Sequence, residues 1–115
     1  MVEDDPFNSA YIKEILSDTG LNIVTTESGL EAVRIATSQS PDLVLMDIRL
    51  PDMNGYEAAR QIKLQNPDLK IIAQTAFAAH DDKQKAFDAG CNDYISKPLK
   101  RGLLLSIIHK HLSKL

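Results

Sequence analysis

DLVLMDIRLPDMNG, residues 42–55, runs four apolar residues (Leu43 to Met46) straight into Asp47 and follows them with a loop containing Pro51, Asp52 and Gly55. Four continuous apolar residues behind a Pro-Asp break predict a short strand covered on both faces. A carboxylate that closes such a run is either a turn cap or part of a site. Taken singly, Asp47 fits the cap; what the rest of the chain places beside it decides.

Working outward, the elements alternate. Upstream, Asp5 before Pro6 has the pattern of an N-cap with proline at the first helical position, and Ile12, Ile15 and Leu16 keep helical spacing up to Gly20. Asn22 to Thr26 is short and β-branched, which predicts a strand. Ser28 and Glu31 have capping-box spacing ahead of Leu30, Val33 and Ile35. Downstream, Gly55 precedes a helix through Ala58, Ala59 and Ile62 that stops near Asn66-Pro67. Lys70 to Gln74 predicts a strand, about His80 to Ala89 a helix ended by Gly90, and Asp93 to Ser96 a last strand. Leu104, Ile107, Ile108, Leu112 and Leu115 line one face of a final helix. This alternation predicts an α/β fold, a doubly wound parallel sheet with helices on both faces, in one domain spanning 1–115.

Composition narrows the function classes. One cysteine, Cys91, excludes an internal disulfide and suits a reducing compartment. The longest apolar stretch of the final helix, from Leu103, breaks at Ser106, and the acidic start MVEDDP is unlike a secretory leader, so a cytoplasmic domain without a membrane span is expected. Up to Glu57 there are 11 acidic and 3 basic residues, and after it 5 and 10. Nothing is basic enough to predict direct nucleic-acid binding, whereas the acidic first half suits a cation.

In doubly wound sheets, ligands sit outside the carboxyl ends of the strands. Those ends here carry Glu3-Asp4 after Met1-Val2, Asp47 after Leu43 to Met46, Thr75 after Lys70 to Gln74, and Lys97 after Asp93 to Ser96. Each has a plain alternative: a cap, a solvated start, a β-branched filler, a surface lysine entering a turn. Their joint arrival at one edge favours a site. Crowded carboxylates repel one another, and a hard cation with oxygen ligands such as Mg²⁺ relieves them. A hydroxyl and an ammonium nearby suit phosphoryl oxygens, and an aspartate can form an acyl phosphate.

Over essentially its whole length the chain resembles the receiver domains of two-component response regulators. VEDDPFN (2–8), LVLMDIRLPDMNG (43–55), IIAQTAFA (71–78) and AGCNDYISKPL (89–99) carry the resemblance, in order. It implies a flavodoxin-like, five-stranded parallel sheet of order 2-1-3-4-5. It implies Asp47 as phosphoacceptor; Glu3, Asp4, Asp47 and the carbonyl of Arg49 around Mg²⁺; Thr75, the N–H of Ala76 and Lys97 on the phosphoryl group; and a cis bond before Pro98. Tyr94 matches the aromatic position that turns inward when Thr75 shifts, altering the face formed by the last two helices and last strand. The partner implied is a histidine kinase or histidine phosphotransfer protein, and the only chemistry catalysed is the domain's own aspartyl phosphorylation and dephosphorylation. Bulky Arg49 and Phe77, each two residues after a site residue, predict restricted water access to the acyl phosphate.

One departure stands out: only Met1-Val2 precede the acidic pair, so the first strand is expected to be truncated. Three alternatives remain at this stage. A flavodoxin-like FMN binder shares the strand order, but the first strand is followed by no Ser/Thr/Gly-rich phosphate loop and the sequence has no Trp. A receiver-shaped interaction module would never be phosphorylated, and an aspartate-nucleophile phosphatase would carry a second Asp where Arg49 stands.

Overall fold

The computed structural model describes residues 1–76 and 80–112, the side chains of 80–82 excepted. Its elements are α1 (Pro6–Leu16), α2 (Gly29–Gln39), β1 (Leu43–Asp47), α3 (Gly55–Gln65), β2 (Lys70–Thr75), α4 (His80–Asp88), β3 (Asp93–Ser96) and α5 (Arg101–His111). β1 pairs with β2 and β2 with β3, all parallel, with Asp47 beside Gln74 and Ala73 beside Tyr94. The helix starts follow their caps. Asp5 accepts from the Phe7 N–H with Pro6 in the first turn, Ser28 accepts from Glu31 N–H, and Asn54 accepts from Tyr56 N–H.

The expected strand order is present with its first two positions reduced. Val2 forms single parallel bridges to Thr26 on one side and Met46 on the other, so the order across the sheet is Thr26, Val2, β1, β2, β3. Among the described residues only three regular strands form, and Asn22 to Thr26 is not one of them. A ladder needs a partner of matching length, and residues 1–3 offer a short one: Thr26 N–H donates to Met1 O (3.0 Å) and Glu3 N–H to Thr26 O (2.9 Å). On the inner side, Val2 N–H donates to Leu45 O (2.8 Å) and Asp47 N–H to Val2 O (3.0 Å). The stub is therefore tied on both edges, and those ties place Glu3 beside Asp47.

Two cores flank the sheet, as side chains alternating along β1 require. Val44, Met46, Ile71 and Ala73 pack with Ala32, Ala58, Ala59 and Ile62 on one face. Leu45, Ile72 and Ile95 pack with Ile12, Ile15, Leu104 and Ile108 on the other. Each fully buried Ile or Leu contributes about 1.5–3 kcal/mol. Cys91 is a small buried member of the first core. Leu115 lies outside the described residues.

The loop after β1 is fixed at both ends. Gly55 N–H donates to Ile48 O (2.9 Å), and a Cβ at Gly55 would press on the Asp47 carbonyl oxygen and come within 2.7 Å of Ile48 Cα, both backbone. Asp52 reaches across to α2, where its carboxylate accepts from Ser28 Oγ (2.8 Å), Gly29 N–H (2.9 Å) and Leu30 N–H (3.1 Å). Those backbone donors, with Ser28, hold the Asp52 carboxyl down from 3.8 to about 2. Nothing in the local sequence around Asp52 announces this, because its partners lie more than 20 positions away.

Gly55→Ala should destabilise the protein by about 1–3 kcal/mol in urea unfolding, since backbone on the far side cannot yield to a methyl group. Asp52→Ala should lower the thermal midpoint above pH 3.8, and the two proteins should converge as pH falls toward about 2, where the wild-type carboxylate is itself protonated.

Candidate functional site

The carboxyl edge of the sheet brings together four of the residues singled out above. The carboxylates of Glu3, Asp4 and Asp47 offer oxygens that all lie within 4.8 Å of one another. Lys97, delivered by the turn after β3, places Nζ 3.0 Å from Asp47 Oδ2 and 3.6 Å from Glu3 Oε1. Asp47 Oδ1 accepts from the Arg49 backbone N–H at 3.1 Å. Asp47 is 3% exposed and Glu3 4%, while Asp4 faces solvent. The Lys97–Pro98 peptide bond is cis. Thr75 ends β2, buried, and Lys97 N–H donates to its carbonyl (2.8 Å); Ala76 follows, exposed at the rim. Arg49 N–H thus meets Asp47 while the rest of Arg49 is exposed, and the bridge from Arg49 to Asn54 braces the loop.

Two buried carboxylates beside one ammonium leave a surplus of negative charge. Both oxygens of Glu3 are buried without a well-formed hydrogen bond among the described residues. Burial, and then the neighbouring Asp47 carboxylate, raise the Glu3 carboxyl from 4.5 to about 7; the Asn8 amide and the Lys97 charge pull the other way. Orphaned, buried carboxylate oxygens clustered with two more carboxylates are the donor set of a hard divalent cation, so the residues present fit Mg²⁺.

Tyr94 stands apart from this cluster. It is half-buried on β3, edge-on to Phe87 (6.2 Å between centroids) with Lys83 Nζ 5.1 Å from its ring centre. Phe77 lies outside the described residues. Two residues that sequence reasoning missed sit beneath the carboxylates: Asn8 Nδ2 donates to Gln74 Oε1 at 3.2 Å, and Gln74 is fully buried. The available signal was Gln74 itself, a polar side chain inside an otherwise apolar strand. His111 contacts Asp93 Oδ2 at 3.0 Å and ties the end of α5 to the start of β3.

Comparison with known proteins follows the same lines. The family model for the response regulator receiver domain matches residues 1–109. A polar-differentiation response regulator, DivK of Brucella ovis, is 36% identical over 97% of this chain and 93% of its own length. Among solved structures, the receiver domain of sensor histidine kinase PA1611 from Pseudomonas aeruginosa PAO1, with a magnesium ion coordinated in its active-site cleft, superposes with a TM-score of 0.89. It is 39% identical and is covered over 93% of its length by 97% of this chain. The receiver domain of the Saccharomyces cerevisiae response regulator Ssk1, crystallised with the histidine phosphotransfer protein Ypd1, gives 0.88 at 33% identity, over 95% of this chain and 83% of that one.

In metal-free buffer the raised Glu3 carboxyl contributes stability fully below 4.5 that is lost as pH rises through about 7. The thermal midpoint should therefore fall across that window, and Glu3→Gln should flatten the fall.

Proposed function

The chain belongs to the response regulator receiver domain family of two-component signalling, and from that premise we propose that it accepts a phosphoryl group on Asp47 from a partner phosphohistidine, with Mg²⁺. The observation that carries this reading is the buried Asp47 carboxylate, gripped by Lys97 at 3.0 Å and clustered with Glu3 and Asp4. Receivers of a histidine kinase and of a phosphotransfer complex among its structural relatives support a donor of the same kind, a histidine kinase or histidine phosphotransfer protein, in the cytoplasm. Among the described residues no helix is long and apolar enough to cross a membrane.

The chemistry follows from what each residue offers. An Asp47 carboxylate oxygen attacks phosphorus; the new O–P bond forms as the P–N bond breaks, its electron pair stays on that nitrogen, and the imidazole leaves neutral with the proton already on its other ring nitrogen. Arg49 N–H and Lys97 hold the two oxygens of Asp47 and so fix its orientation for in-line attack. Glu3, Asp4, Asp47 and the Arg49 carbonyl would hold Mg²⁺, which when bound neutralises charge on the transferring phosphoryl oxygens. Lys97, the Thr75 hydroxyl and the Ala76 N–H complete the set of groups turned to those oxygens.

The product carries about 1.5–2 additional negative charges. We read the switch as a population shift in which Thr75 moves toward the phosphoryl group and Tyr94 turns into the space it leaves, altering the face of α4, β3 and α5. Register supports the pairing: Tyr94 lies beside Ala73, two residues from Thr75, so both side chains belong to one face of the sheet.

Intact-mass measurement after incubation with a small acyl phosphate should show a gain of one phosphoryl group that requires Mg²⁺ and is absent in Asp47→Asn. A folded wild type that gains nothing would replace this reading with an interaction module that is never phosphorylated.

A further inference from the structure

Gln74 has no part in the chemistry above, yet it is the largest polar side chain buried completely. A carboxamide inside a strand covered on both faces is a costly choice where Leu, Ile or Met would fit. Its register with Asp47 puts the two side chains on the same face of the sheet, in neighbouring strands, under α1. Its Oε1 accepts from Asn8 Nδ2 at 3.2 Å, while its Nε2 has no acceptor within reach among the described residues. Asn8 stands on α1 one turn after the cap at Asp5, near enough to Glu3 to pull its carboxyl down, though neither Glu3 oxygen accepts a well-formed hydrogen bond. An amide has two N–H groups, so Asn8 can serve Gln74 and Glu3 together.

We infer that Gln74 and Asn8 form a buried amide relay that positions the Glu3 carboxylate for Mg²⁺, Gln74 orienting Asn8 and Asn8 orienting Glu3. Both are positioning residues: neither touches the reacting atoms. The inference rests on the Mg²⁺ reading above. Its logic is that of partners behind metal ligands, which fix the orientation of a ligand and whose loss costs affinity by roughly 10–100-fold. A purely structural role predicts the reverse pattern, a lower midpoint for Gln74→Met with Mg²⁺ affinity unchanged, because Asn8 Nδ2 would lose its acceptor.

The test is Mg²⁺ titration by calorimetry on the whole chain, with thermal unfolding in metal-free buffer as the control for folding. Gln74→Met should bind Mg²⁺ roughly ten-fold more weakly than wild type, at the low end of that range, with an unchanged or higher midpoint. Asn8→Ala should weaken it similarly, and the double variant should be no weaker than Asn8→Ala alone, because the two act in series. In the wild type, the side-chain amide resonances of Asn8 and Gln74 should both move on adding Mg²⁺, a readout that survives if a variant fails to fold. A wild type that binds Mg²⁺ and a Gln74→Met that binds it within two-fold overturn the relay alone, as do unmoved amide resonances. A wild type that binds no Mg²⁺ overturns the metal reading and the relay with it.

Discussion

Glu3 and Asp47 are buried side by side against a single ammonium, that of Lys97. Like charges at this spacing, shielded from water, repel strongly, and neither carboxylate can escape into solvent without undoing the sheet edge that holds it. The rest of the structure can be understood as what keeps this arrangement in place. Val2 is bonded to backbone on both sides so that Glu3 must follow it; Asp47 closes β1; and Lys97 is brought back by the turn after β3. The Glu3 oxygens lack a well-formed hydrogen bond among the described residues, and one ammonium faces two buried carboxylates, so the cluster keeps a surplus of negative charge. A hard divalent cation held by Glu3, Asp4 and Asp47 would supply the missing positive charge.

The loop between β1 and α3 serves the same end by rigid means. Gly55 lets the first turn of α3 lie directly on the Asp47–Ile48 backbone, and Asp52 fastens the loop to the N-terminus of α2, where backbone N–H groups and the helix dipole favour a carboxylate. Arg49 is held between these anchors, its N–H on Asp47. Thus the backbone that would present a carbonyl to the metal is braced by interactions in two other helices, and an exposed carboxylate such as Asp52 belongs to the site's support although it touches no reacting group.

How much of this was legible in the sequence depended on the range of the interaction. The run Leu43 to Asp47, the caps at Asp5 and Ser28, and the stop near Asn66-Pro67 are local patterns, and each formed as its residues predict. Asn22 to Thr26 has strand composition but not strand structure, because β-structure is a property of pairs, and in this segment Thr26 pairs with Val2 through a single bridge. Glu3, Asp4, Asp47 and Lys97 could be assembled from the rule that strand ends converge. Asn8 with Gln74, Asp52 with α2, and His111 with Asp93 could not: each joins elements that only the finished fold makes neighbours. Gln74 carried one trace of its role, a polar residue where the pattern calls for an apolar one.

The register of the sheet also divides the site. Asp47 and Gln74 share the face packed by α1 and α5, whereas Thr75 and Tyr94 belong to the face packed by the other helices. The sheet thus stands between Asp47 and Tyr94, and the proposed coupling would run over its carboxyl edge, where Thr75 follows Gln74 by one residue and belongs to the opposite face. Gln74 and Thr75 are consecutive on one backbone, so under the proposed switch a movement of the Thr75 hydroxyl would bear directly on the buried amide beside it.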